Sequence, residues 1–194
     1  MRRLLIGIGQ CGLDVVDNIQ HELKLGTAAI DHDKYALHAS GADRKVLVSE
    51  DNAVSKTDGL RIDHEVSLES LSEIQRLISS YERIYIVAAL GGRAGGVILP
   101  AVVKTAVKMN KQVDGKLILP FEQEESKREI AEMYLDSISD LFHSLDVYDN
   151  NAYVEKADDE ITLDSIYSLN SIFEEINRDI RREIQQDIIY EEGR

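Results

Sequence analysis

Gly7-Ile8-Gly9-Gln10-Cys11-Gly12 follows the apolar run Leu4-Leu5-Ile6 and opens into Leu13, Val15, Val16, Ile19 and Leu23, which recur at helical spacing. A strand therefore enters a glycine turn, and the turn becomes a helix. Glycines let the backbone approach an anion closely. The unpaired N–H groups at the start of the next helix, with the helix dipole behind them, face whatever phosphate arrives. The spacing Gly7-x-Gly9-x-x-Gly12 is that of a dinucleotide fingerprint, and acidic Asp31 and Asp33 follow about 20 residues on, where a ribose-binding acid would stand. One reading is an NAD-dependent oxidoreductase domain using Gly7, Gly9, Gly12 and Asp31. The plainer reading is a tight turn in an α/β domain with no ligand.

Working outward, the 194 residues suit one domain with a full hydrophobic core, spanning residues 1–194. With 43% hydrophobic and 30% charged residues, neither disorder nor a fibrous class is indicated. The 36 acidic against 22 basic side chains leave a net charge of −14, which repels nucleic acid and anionic membrane surfaces at long range. A phosphate ligand must then be held by local groups. The single cysteine excludes an internal disulfide framework and fits a reducing compartment. No apolar segment approaches the roughly 18 residues of a membrane span, and the amino terminus lacks a signal-peptide layout. The expectation is a cytoplasmic protein that does not insert into membranes.

Along the chain, Gly26 to Ile30 reads as a second strand delivering Asp31-His32-Asp33 at its carboxyl end, the ligand side of an open parallel sheet. No further His or Cys follows at ligand spacing, so a polar strand end is favoured over a metal cluster. Lys45 to Val48 forms a third strand, and Ser49 to Asp63 reads as a long loop without periodicity. Leu68, Leu71, Ile74, Leu77, Ile78 and Tyr81 keep helical spacing, and Arg83 to Leu90 is the strongest buried-strand candidate.

That strand ends in a second glycine cluster, Gly91-Gly92-Arg93-Ala94-Gly95-Gly96, which runs into an apolar helix with Pro100 expected in its first turn. Two strand, glycine-loop, helix units aim two helix starts at one spot if their strands are neighbours. Next come a strand at Lys116 to Leu119 and a charged helix at Glu122 to Leu145 with Ile130, Met133, Tyr134, Ile138 and Leu141 inward. Within it Glu124 and Arg128 sit four apart, as an exposed ion pair would. A brief strand at Val147-Tyr148 and a long helix at Ile161 to Tyr190 complete the pattern. The expected architecture is α/β: a Rossmann-like, doubly wound, mostly parallel sheet with helices on both faces and a long C-terminal helix. These residues alone do not choose a dinucleotide over a mononucleotide.

Taken together, Gly9-Gln10-Cys11-Gly12 and the loop Ala89 to Gly96 resemble the two phosphate loops of the tubulin/FtsZ family. The resemblance covers nearly the whole chain. Ile30-Asp31-His32-Asp33 with Ala36-Leu37 is similar to the family's second loop, and Pro120-Phe121 with Glu124 and Arg128 to its ribose-binding segment. Asp149-Asn150-Asn151-Ala152 resembles the sugar and base loop, and Asn170, one turn after Ile166 and Tyr167, falls at a guanine-reading position. The resemblance implies GTP or GDP as ligand. Phosphates would lie on Gly9, Gln10, Cys11, Gly12, Gly91, Gly92, Arg93, Ala94, Gly95 and Gly96, ribose on Glu124 and Arg128, and base on Asp14, Asn150, Ile166, Tyr167 and Asn170. Asparagine amides suit a guanine edge because each both donates and accepts. Cys11 is expected to be a small buried residue, although a helix start lowers a thiol pKa.

The chain also departs from the family pattern. Arg93 and Ala94 stand where glycine and threonine are usual, which removes a hydroxyl near the terminal phosphates, adds a cation and leaves magnesium without its usual support. Only Gly59 remains of the third loop's glycines, Asp14 replaces an amide, and Ile166 replaces an aromatic. No counterpart of the family's catalytic acidic loop follows the long helix before Arg194. The chain alone is therefore expected to hydrolyse little or no GTP, with a cytoskeletal or membrane-remodelling role exercised through self-association or a protein partner. A degenerate module that binds a partner and no nucleotide is the remaining alternative.

Overall fold

The parallel sheet forms because its strands are apolar on both faces. The computed structural model describes residues 1–23, 25–53, 63–156 and 166–193. In chain order the elements are β1 Arg3–Ile8, α1 Gly9–Ile19, β2 Gly26–Asp31, α2 Lys34–Ala39 and β3 Arg44–Leu47. Then follow β4 Glu50–Ala53, β5 Asp63–Val66, α3 Leu68–Ile78, β6 Arg83–Ala89, α4 Arg93–Lys108 and β7 Gln112–Leu119. The last are α5 Glu125–Ile138, β8 Ser144–Asp149, α6 Asn150–Lys156 and α7 Ile166–Glu192.

Six strands pair in the order β3-β2-β1-β6-β7-β8, every ladder parallel. The order reverses between β1 and β6, so the two glycine turns are neighbours at the crevice where open α/β sheets take ligands. Alternate side chains feed two cores. Leu4, Ile6, Ile84 and Ile86 face α3 and α4, while Leu5, Tyr85 and Val87 face α1 and α7. The expected doubly wound sheet is the one observed.

Ile172, Ile176, Ile180 and Ile184 put one stripe of α7 into the second core, each worth about 1.5–3 kcal/mol when fully buried. A second stripe beside it is acidic. Glu191 binds Arg3 at 2.8 Å, Glu183 binds the buried Lys116 at 3.0 Å, and Glu191 and Asp187 bind Arg83, which also reaches Asp114 at 2.5 Å. Removing Arg83 or Lys116 leaves carboxylates behind at the α7 face, whereas removing one acid leaves each cation a second partner, so the cost falls mainly on loss of the basic residue. Sheet and α7 are thus locked in one register, and that register positions the α7 residues of the site.

Several sequence expectations are corrected. The loop expected from Ser49 to Asp63 contains β4, which pairs antiparallel with β5 beginning at its last residue, while Gly59 lies outside the described residues. The charged helix ends at Ile138, after which a 3-10 turn at Ser139–Leu141 leads into β8, where Ser144 pairs with Asp114. Ile130 and Met133 are 44% and 60% exposed, since the buried stripe of α5 runs through Ala131 and Ile138 instead. Pro100 lies in the interior of α4, because the helix begins at Arg93 and takes Gly95 and Gly96 into its first turns. The long helix is described from Ile166 to Glu192, and its expected start at Ile161 falls outside the described residues.

Candidate functional site

Each glycine turn is built for close contact. Gly9 has φ +71°, and a Cβ there would lie 2.7 Å from the Ala94 methyl, so the first loop touches the second. Gly12 lies against the Val87 carbonyl and Gly95 against the Ala89 carbonyl, which lets both helices descend onto their own strands. At Gly91 φ is +82°, and a Cβ there would lie 2.6 Å from the Lys127 carbonyl oxygen.

Neither α1 nor α4 has a side-chain cap or an acid in its first turn. The first N–H groups of a helix have no partner within it, so both starts present uncompensated donors. They meet in a cleft of about 420 Å³ that brings together Gly9, Gln10, Cys11, Gly92, Arg93, Ala94 and Gly95 from the two turns. Glu124, Lys127, Asn150, Phe173 and the Asp31-His32-Asp33 corner close it.

The far end of the cleft is built by α6 and α7. Asn150 is 7% exposed, and its Oδ1 has no hydrogen-bond partner among the described residues. A buried amide oxygen without a donor is costly unless a ligand or water supplies one. A second hollow of about 430 Å³ shares Phe173 with the cleft and continues between α1 and α7 past Asn18, Asn170, Asn177 and Arg178. The Asn177 Oδ1 is likewise buried and unpaired among the described residues. Phe173 and Asn177 are four apart and share a helix face, so the α7 wall of this space offers both an aromatic ring and an amide.

Not every expected residue lines the cleft. Gly12, Gly91 and Gly96 are packing glycines, the last with the Tyr134 ring 2.9 Å from where a Cβ would stand. Arg128 is bound away from the cleft: it holds Asp149 through two bonds of 2.9 and 2.7 Å and Glu132 at 2.9 Å, and donates to the Pro120 carbonyl. Its expected partner Glu124 pairs with Lys127 instead, at 2.5 Å. Asp14 accepts from Gln10 at 2.7 Å on the outer face of α1, where partial burial pushes its carboxyl above the ordinary value. Asn170 lines the second hollow, and the side chains of Ile166 and Tyr167 lie outside the described residues.

Sequence reasoning missed Lys127, Phe173 and Asn177. The signal for the last two was the pairing of an aromatic with an amide one turn later on the long helix, hidden because Phe173 also fits the apolar stripe. Cys11 is a partly buried packing residue, as expected, and burial with Asp14 nearby pushes its thiol up to about 12.

The cleft thus offers open backbone donors, a buried amide oxygen without a partner among the described residues beside them, and an aromatic with further amides beyond. Residues 3–158 match the family model described as the tubulin/FtsZ family, GTPase domain. The chain is 28% identical to cell division protein FtsZ 2 of Halobacterium salinarum over 162 residues, covering 79% of this chain and 40% of that protein. It is 26% identical to cell division protein FtsZ of Haloferax mediterranei over 184 residues, 87% of this chain and 49% of that one. Among solved structures, an empty FtsZ dimer from M. jannaschii superposes with a TM-score of 0.75 at 20% identity, covering 93% of this chain and 53% of that chain. The GDP-bound CetZ1 monomer from Haloferax volcanii superposes with a TM-score of 0.68 at 22% identity, covering 94% and 58%. The chain spans about half the length of the relatives it matches. By the extent of the family match, which takes in both glycine turns and the Asn150 loop, the chain belongs to the tubulin/FtsZ family.

Proposed function

We propose that the cleft binds GDP or GTP. The phosphates lie on the open starts of α1 and α4, the sugar beside Glu124 and Asn150, and the base against Phe173 with the amides of Asn18, Asn170 and Asn177. The observation that carries this reading is the junction at β1 and β6, where two uncapped helix starts share one cleft with the unpaired, buried Asn150. Membership of a GTPase-domain family supports the guanine assignment.

Turnover by this chain alone is slow. Asp31, Asp33 and Glu124 are the carboxylates among the described cleft residues, and each is engaged by a backbone N–H or a cation rather than left to activate water. The cellular role is cytoskeletal, exercised through self-association or a protein partner. The dimer and protofilament forms recorded for FtsZ and TubZ neighbours support that part by analogy.

Calorimetric titration with GTP, GDP, ATP and NAD tests the ligand. The expected outcome is binding of GTP and GDP with ATP at least about tenfold weaker, since each unmatched polar edge costs about 1.4 kcal/mol or more. Binding of NAD without either guanine nucleotide would return the first loop to its dinucleotide reading.

A further inference from the structure

The sheet is open on both sides, and its two edges carry opposite charge. Among the described residues no strand pairs with the outer edge of β3 or of β8. An edge strand presents a row of unpaired N–H and C=O groups, which is a template for another strand unless something blocks it. On β3, Arg44, Lys45 and Leu47 are exposed, and a hollow of about 380 Å³ between this strand and α3 adds Arg76, with Glu73 the acid that lines it. Arg44 has no ion pair among the described residues, and Lys45 Nζ donates to a neutral acceptor, the His38 carbonyl, at 3.2 Å. On β8, the Asp146 side chain is 42% exposed while it binds Lys116, Val147 is 41% exposed, and the exposed Asp136 and Asp140 precede the strand. A chain of net charge −14 thus keeps one edge of its sheet basic and the other acidic.

The ladders fix how these edges meet. Lys45 pairs with Ala29, Ala29 with Gly7, Gly7 with Val87, Val87 with Lys116 and Lys116 with Asp146, so Lys45 and Asp146 end the same row. Val46 and Val147 end the next row, through Ile30, Ile8, Ala88 and Leu117. A second copy beside the first in the same orientation, without a shift along the strands, therefore sets its Lys45 opposite Asp146 and its Val46 opposite Val147, and continues the sheet in parallel. The symmetric alternatives are disfavoured by charge. Two β8 edges oppose acids to acids and two β3 edges oppose bases to bases, which is destabilising when the charges lie directly opposite.

Deepening the self-association part of the reading above, and independently of its ligand, we infer that β3 of one copy adds to β8 of the next, so that copies associate side by side through a continuous parallel sheet. The contact is heterologous, and without a rotation that closes a ring it does not stop at a dimer.

Sedimentation equilibrium of the whole chain, with and without GDP, tests this on the native protein, on Arg44→Glu with Lys45→Glu, on Val147→Lys, and on an equal mixture of those two variants, with thermal melts to confirm folding. The native weight-average mass is expected to rise at least about twofold between about 10 μM and about 1 mM, as for a small interface, and to pass the dimer value. Each variant alone stays monomeric over that range, because like charge then faces like charge. The mixture, which sets the exchanged charges against each other, regains association. Asp146→Asn leaves Lys116 bound to Glu183 and weakens association about two- to fivefold, the worth of one opposite-charge cross-strand pair, and it takes the place of Val147→Lys should that variant unfold. A native mass that stops at the dimer, association that requires nucleotide, a mixture that stays monomeric, or variants that associate like the native chain overturn the inference and leave self-association standing. A native chain that is monomeric up to about 1 mM overturns the inference and the self-association reading together, while nucleotide binding is decided separately by titration.

Discussion

Helices α1 and α4 begin in a different way from α2 and α3. In α2 the Asp33 carboxylate accepts from the N–H of Tyr35, and in α3 the Ser67 hydroxyl accepts from that of Ser70, inside a cluster with Ser49. Those two starts are satisfied by their own sequence, and nothing further is needed there. The starts of α1 and α4 follow glycine turns, carry no capping side chain, and leave their donors to the cleft. A helix in a stable domain forgoes a cap worth about 1 kcal/mol when something else binds its first N–H groups. The same element type is thus closed by its own side chain at α2 and α3 and left open toward the cleft at α1 and α4.

The largest test of this contrast converts an open start into a closed one. Gly92 has ordinary extended φ and ψ, and nothing lies within 4 Å of where its Cβ would stand, so Gly92→Asp is sterically tolerated. It is expected to lower GDP and GTP affinity by about 100-fold or more by setting a carboxylate against phosphate. Thermal stability should meanwhile hold or rise by a few tenths of a kcal/mol, the difference between an Asp and a Gly cap. Unchanged affinity in calorimetry would show that the start of α4 is not part of the phosphate site.

The next test acts on the contact between the two open starts. Gly9→Ala places a methyl against Ala94 at a positive φ, so chemical denaturation should show a loss of about 1–3 kcal/mol together with weaker nucleotide binding. A neutral result would mean that the two loops separate without consequence. At a closed start, Ser67→Ala should cost about 1 kcal/mol in the same assay and leave affinity for GDP unchanged, which separates capping from binding.

The smallest effect concerns α6, whose first turn is capped by Asp149 accepting from the N–H of Asn151 at 3.0 Å. The Arg128 guanidinium, with that backbone bond, holds the Asp149 carboxyl below its ordinary value, against a smaller opposing push from burial. Because the folded value is depressed, the stability it contributes is full above the unfolded carboxyl value of about 4 and is lost as pH falls through the lower folded value. For a partly exposed pair the amount is at most about 1 kcal/mol. Arg128→Met should flatten the acid limb of a stability-against-pH curve by that amount, and an unaltered curve would remove the pair from the account.

Much of the site could be read from spacing alone. The two glycine turns, Glu124 and Asn150 were all visible, since turns and polar strand ends sit at positions that periodicity marks. What could not be read depended on packing between elements. Arg128 left the ribose set because Asp149, at the end of a neighbouring strand, is a better partner than Glu124 one turn away. Phe173 and Asn177 enter the site because α1 lies opposite them, a fact of tertiary placement that helical spacing in α7 does not contain. Ile130 and Met133 sat only about one residue off the stripe that is buried, and that is enough to turn a side chain outward.

By itself the sequence determined the parallel α/β sheet, the neighbouring strand and glycine-turn units, and the family, because local propensity, apolar runs and turn chemistry act over a few residues and agree with one another. Tertiary structure alone decided which glycines open toward a ligand and which only allow close packing, where α4 starts, the protonation of Cys11, and which carboxylates are already engaged. Those outcomes depend on burial and on partners distant in sequence: the Val87 carbonyl beneath Gly12, the Lys127 carbonyl beside Gly91, and the ion pairs that hold α7 in register over the sheet.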